Sequence, residues 1–165
     1  MINKSTINNN PWHSSPVINC FPNVWPFFDH ISNTKLNINH NYQNIAKDFF
    51  EKYSDNSKIS IEYLENYYHP QSLITMRIQE GTNDYSYEFI GYNNFKNKFR
   101  ELKMNNIEYH SMIYTAQPIG TDAILVTIHG RATINYATCS ISSTFVIKYF
   151  EGCSKIMNHI FNIFP

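Results

Sequence analysis

Hydrophobic and polar residues alternate most regularly between Ala123 and Phe150. Ile124, Val126, Ile128, Gly130, Ala132 and Ile134 fall on one side, and Leu125, Thr127, His129, Arg131 and Thr133 on the other. Period two is the signature of a half-buried strand. Phe145, Ile147 and Tyr149 repeat it. The pattern predicts two long strands joined by about six polar residues, Asn135 to Ser140, and a hairpin of that length needs a cover.

The cover is legible upstream. Tyr42, Ile45, Ala46, Phe49, Phe50 and Tyr53 recur at i, i+3, i+4, i+7, i+8 and i+11, one continuous stripe on a helix. The run Ser54-Asp55-Asn56-Ser57 is expected to end it. A second helix is predicted over Ser60–Tyr68, with Ile61, Leu64, Tyr67 and Tyr68 inward and Pro70 as its stop. Strands follow at Ser72–Ile78 and Tyr85–Ile90 around a Gly81-containing turn. Gly91 breaks the second, and Asn93 is placed to cap a third helix carrying Tyr92, Phe95, Phe99 and Leu102. Further strands are predicted at Glu108–Gln117 and Lys155–Phe164. Helices segregated from strands with short connections imply an α+β domain around a largely antiparallel sheet, residues 41–165.

Residues 1–40 break the pattern. Rich in Asn, Ser and Pro and poor in charge, they read as an irregular extension. Within them lies CFPNVWPFF, Cys20 to Phe28, whose aromatic density suits a clasp on the domain or a partner motif.

Composition narrows the chemistry. Thirteen basic residues balance thirteen acidic ones, which argues against direct nucleic-acid binding. No run approaches a membrane span, and the polar start is unlike a secretory signal. The three cysteines, Cys20, Cys139 and Cys153, are too far apart for a zinc site or a disulfide framework, so they are expected to be thiols in a reducing compartment. The seven histidines show no metal-ligand spacing, and no cofactor motif appears.

The order of elements resembles the nuclear transport factor 2 family over about residues 42–164. Ile45-Ala46-Lys47-Asp48-Phe49-Phe50 is similar to its opening helix, and Phe89-Ile90-Gly91-Tyr92 to the entry of its third helix. Val126-Thr127-Ile128-His129-Gly130 is similar to its central hairpin, and Met157-Asn158-His159-Ile160-Phe161 to its closing strand. The resemblance implies an NTF2-like cone, a curved antiparallel sheet wrapped around a long N-terminal helix with two shorter helices. It implies dimerisation through the free sheet face, here Leu125, Thr127, His129, Arg131 and Thr133, as a homodimer or an NTF2-like heterodimer. It also implies nuclear-transport work in cytoplasm and nucleus, binding Phe-Gly repeats of nucleoporins and the GDP-bound GTPase Ran.

The partner-binding positions map to Met76, Arg77, Asn135 and Ala137. Met76 suits an apolar groove. The family's Ran contact uses acids where this chain has Arg77 and the stretch Asn135-Tyr136-Ala137-Thr138, so charge pairing with Ran is not expected. The resemblance extends to messenger-RNA export heterodimers, to peptide-binding scaffolds and, in the same fold, to isomerases and dehydratases working in the cone. Candidate groups for such chemistry are Asp48, His110, Tyr114 and His159, but no carboxylate lies within an inward-facing run. The expectation is therefore a non-catalytic adaptor.

Overall fold

The computed structural model describes residues 38–150 and 153–165, with side chains from residue 42 apart from that of Phe150. The sequence-predicted extension, including Cys20–Phe28, lies almost wholly outside these residues.

The first helix, α1, spans Ile38–Ile59. Ala46, Phe49, Phe50 and Tyr53 are buried. The polar run Ser54–Ser57 does not end it. Ser57 points inward at 0% exposure, and its hydroxyl donates to the carbonyls of Ser54 and Ile107. Asn56 donates to Lys52 O and to the Tyr67 hydroxyl. Satisfied polar groups can continue a buried stripe, which periodicity in apolar residues alone misses.

A 3-10 helix follows over Ile61–Tyr67, opened by Ser60, whose Oγ accepts from the backbone of Glu62. Ile61, Leu64 and Tyr67 are its buried residues. Their spacing of three matches three residues per turn. Strand β1, Tyr68–Glu80, starts at once and passes through Pro70 at a register shift between Tyr68 and Leu73. An irregularity is where a sheet tolerates proline.

Strand β2 covers Asn83–Ile90, and α2 covers Tyr92–Glu101. Gly91 holds the joint at φ 77°, and a Cβ there would meet Pro70 O at 2.8 Å. Asn93 is not the cap. Gly91 occupies that position, and Asn93 reaches Glu65 instead. Tyr92, Phe95 and Phe99 face the core, and the buried ammonium of Lys96 lies 2.9 Å from Glu65 and 3.5 Å from Glu62.

Strands β3 (Ile107–Ile119), β4 (Ala123–Ile134), β5 (Ala137–Phe150) and β6 (Cys153–Phe164) complete a curved, open sheet in the order β2-β1-β6-β5-β4-β3. β4 and β5 are joined by Asn135 and Tyr136 alone, both at positive φ, rather than by six residues. Two positive φ values suit the twist of a tight hairpin. The sheet is not wholly antiparallel, since β1 and β6 run parallel in its middle. Sequence neighbours predict hairpins well, but a pairing between first and last strands carries no local signal.

Helix α1 lies along β3, tied at one end by Gln43 Nε2 to Ala116 O and at the other by Ser57 to Ile107 O. Between these ties Phe49 and Tyr53 pack against Phe145 of β5, with ring centroids 5.7 and 5.3 Å apart. Of the cysteines, Cys139 is a free buried thiol, whereas Cys153 is disulfide-bonded, contrary to the reading of all three as thiols.

Candidate functional site

The strands expose two different surfaces. Inside, an unbroken hydrogen-bonded chain links three elements. The Tyr53 and Tyr68 hydroxyls are 2.8 Å apart, and Tyr68 Oη is 2.8 Å from His159 Nδ1. The order that uses both hydroxyl protons runs from Tyr53 to Tyr68 to Nδ1, leaving the imidazole proton on Nε2. Nε2 has no partner among the described residues. The ring stacks on Phe145 at 4.2 Å between centroids. Burial without a carboxylate pushes His159 down to about 3, so the ring is neutral at ordinary pH. Burial likewise pushes the phenols of Tyr53, Tyr68 and Tyr109 far up. The buried polar and charged residues of the described part are Ser57, His69, Ser72, Lys96, Ser143, Ser154 and His159, with no acid among them.

The outer face is different in kind. Register sets its residues in transverse rows. One reads Ile90, Leu73, Asn158, Val146, Leu125 and Gln117 from β2 to β3. The next reads Glu88, Thr75, Ile160, Thr144, Thr127 and Thr115, and a third Ser86, Arg77, Asn162, Ser142, His129 and Ile113. The middle strands β6 and β5 therefore present Asn158, Ile160, Asn162, Ser142, Thr144 and Val146, without one charge. Ile90, Leu73, Ile160, Val146 and Leu125 form an apolar stripe across five strands, and Ile90, Leu73 and Ile160 are exposed. A water-facing sheet usually carries Lys and Glu, so an uncharged centre marks a face suited to being covered.

All five residues predicted for the free face lie on it. Leu125, Thr127 and Thr133 are half-buried, while His129 and Arg131 are exposed. They form its β4 side, and the apolar stripe crosses β4 only at Leu125. The residues missed are Leu73, Ile90, Ile160 and Val146. Each belongs to a different strand, and only register brings them together.

The predicted partner positions do not make one site. Met76 is fully buried on the inner side of β1, so it belongs to the core and not to a surface groove. Adjacent strand residues point to opposite faces, and Arg77 is outside, paired with the Asp84 carboxylate across the β1–β2 hairpin. Arg77 holds the Asp84 carboxyl below the usual carboxylate range. Asn135 braces the hairpin tip, donating to Lys103 O and accepting from Asn105 N. Ala137 opens β5 and is exposed. Of the candidate catalytic groups, His110 lies on the outer face, 2.9 Å from Thr133 Oγ1. Asp48 and Tyr114 are half-buried, and His159 alone is sealed inside.

No protein-family model matches the chain. Several solved structures superpose on it. Nuclear transport factor 2 of Cryptosporidium parvum aligns with a TM-score of 0.62 at 24% identity, covering 74% of this chain and 94% of that one. The fold is NTF2-like. The Mtr2–Mex67 M domain complex of C. albicans matches with a TM-score of 0.59 at 15% identity, covering 74% of this chain and 94% of that one. A scytalone dehydratase-like protein of Novosphingobium aromaticivorans matches at 0.60 and 10% identity, over 76% and 85%. In sequence, an uncharacterized protein of Acanthamoeba polyphaga mimivirus is 26% identical over 136 residues, 76% of this chain and 66% of that protein. The chain thus spans a little under two thirds of that relative's length. NTF2-like domains occur in transport factors, export complexes and enzymes alike.

Proposed function

We propose that this NTF2-like domain is a non-catalytic adaptor of the nuclear-transport type, paired through its outer sheet face and binding Phe-containing segments of the nucleoporin kind. The uncharged middle of that face carries the reading. Six strands at about 4.8 Å and three residue rows at about 6.7 Å give roughly 600 Å² of flat projection. Side-chain relief brings that near the ~800 Å² per partner of a standard interface. The partner is a second copy or another NTF2-like subunit, as in an export heterodimer, and exposed Leu73, Ile90 and Ile160 are apolar contacts for it or for Phe side chains. Carriage of Ran-GDP is not part of the proposal, because Arg77 is already paired and the Asn135–Tyr136 tip offers no carboxylate.

The buried Tyr53–Tyr68–His159 chain favours a second reading, a small enzyme acting inside the cone. It is the weaker one. The chain joins three neutral groups at ordinary pH, with no buried acid to exchange a proton with them.

The test is sedimentation of the full chain beside Ile160→Lys, with capture on immobilised Phe-Gly peptides. A dimer, alone or with an added NTF2-like subunit, that Ile160→Lys dissociates supports the proposal. A wild-type chain that binds no partner and no peptide refutes it.

A further inference from the structure

The charges of the outer face sit at its two sides. On the β2–β1 side are Glu88 and the Asp84–Arg77 pair, which together leave one negative charge. On the β4–β3 side are Arg131, His129 and His110, all exposed. Glu108 beside them is already paired with Lys58, so Arg131 leaves one positive charge there. Glu88 and Arg131 make no ion pair among the described residues. The face is thus acidic at one side, basic at the other and uncharged between.

A fourth row extends the three given above and carries most of this difference. Asp84 pairs with Gln79, and Gln79 follows Ile78, the partner of Ile163, so it lies beside Phe164. From Phe164 the row continues through Ser140 and Arg131 to His110. A face can be laid on its own copy about two simple two-fold axes. An axis across the strands sets each strand over itself with its rows reversed. The apolar row then meets the charged one, and both basic sides coincide. An axis along the strands keeps the rows and exchanges the sides, so β2 meets β3, β1 meets β4 and β6 meets β5. Each row then finds a match. Leu73 meets Leu125, Thr75 meets Thr127 and Ile160 meets Thr144. In the fourth row Asp84 meets His110 and Gln79 meets Arg131, which sets each Arg131 next to an Asp84. Packed sheets lie about 10 Å apart, within the joint reach of Arg and a facing Gln or Asp side chain.

We propose that the partner on the outer face is a second copy of this chain, laid with the two-fold axis along the strands, so that Arg131 of each copy reaches the Asp84–Gln79 corner of the other. Granted the pairing through this face proposed above, the charges choose an identical chain over a different NTF2-like subunit. A subunit without an acidic β2 side would leave Arg131 unmatched, so the contact that joins two copies also selects against other partners. Four rows at about 6.7 Å across six strands give roughly 800 Å², the share per partner of a standard interface.

Within one chain Gln79 and Arg131 lie three strand spacings apart, about 14 Å, so a charge pair built from them forms only between copies. The full chain is to be sedimented over a concentration series beside Arg131→Glu, Gln79→Lys and the double variant, with circular dichroism of each. Both single variants set like charges against each other, Glu beside Asp84 or Lys against Arg131, and raise the dimer Kd roughly tenfold. The double variant restores it to within about threefold of the wild type, because the pair is remade with its signs exchanged. Gln79→Glu, which gains a partner in Arg131, tightens the dimer several-fold, a change that misfolding cannot imitate. A wild-type dimer that Ile160→Lys dissociates, but that these charge changes leave untouched, keeps the paired face and overturns the proposed orientation. So does a double variant as weak as the two single losses combined. A wild-type chain that pairs only with an added NTF2-like subunit overturns the choice of partner, and one that pairs with nothing overturns the reading of the face as well.

Discussion

Acid should weaken this domain through one residue, His159. The ring is buried, neutral and stacked on Phe145, with its ordinary value of 6.5 pushed down to about 3. In the unfolded chain it takes a proton near pH 6.5, whereas the folded chain resists until near pH 3. Between those limits the unfolded state holds one more proton, so stability is full above pH 6.5 and is lost as pH falls. The slope is about 1.4 kcal/mol per pH unit, or about 3 kcal/mol between pH 6.5 and 4.5. That is a large part of the 5–15 kcal/mol typical of a domain. Burial also pushes His69 down and adds in the same direction, so the contribution of His159 must be read as a difference. Urea unfolding of the wild type and of His159→Gln at several pH values supplies it. Gln retains a partner for Tyr68 and cannot titrate. The variant is less stable near neutrality, since the Phe145 stack is lost, but its curve is flatter by about 3 kcal/mol over those two units. Parallel curves would refute the argument, because His159 would then be free to ionise in the folded protein.

Other outcomes follow from close approaches and backbone strain. A Cβ at Gly130 would collide with Met112 Sδ and lie 2.8 Å from Ser111 O, at the β3 bulge. Gly130→Ala should cost about 1–3 kcal/mol, measured by thermal or urea unfolding, with the backbone oxygen being the contact that cannot yield. Tyr136 has φ 72° and is fully exposed, so it bears the left-handed strain without burying its ring. Tyr136→Gly should therefore raise stability by up to about 1 kcal/mol, and a loss there would show that the ring makes a contact in the folded protein. Ser57→Ala should cost about 1–2 kcal/mol, because Ile107 O loses its side-chain donor in a buried place.

The elements were largely written in the sequence, while their relations were not. Every strand with strict alternation appears within a few residues of its expected span, because alternation and burial on one face are the same fact. The end of α1 was missed because Ser57 is buried by hydrogen bonds, and polarity is the usual mark of exposure. The second helix was legible as a helix, but its spacing of three marked a 3-10 winding. Asn93 looked like a cap because it is the right kind of residue, yet only Gly91 fits under Pro70 O. The five β4 residues were found on the outer face by parity alone. The apolar stripe from Ile90 to Leu125 was invisible, since its members lie on five strands and meet only through register. Met76 was assigned by resemblance to a surface role, although its parity with Ile74 already placed it inside.

The parallel pairing of β1 with β6 has a consequence for how the chain acquires its structure. Leu73 must find Asn158, a partner 85 positions later, while β3 to β6 assemble by successive hairpins. Closing so long a loop is entropically costly and pays back late, so the hairpin meander should form first and β1–β2 dock onto it last. During synthesis β1 and β2 have no sheet to join until Cys153–Phe164 has left the ribosome. Over that interval the free edge of β1 is exposed, and a ribosome stalled before β6 would leave a nascent chain prone to aggregate and not a smaller folded domain.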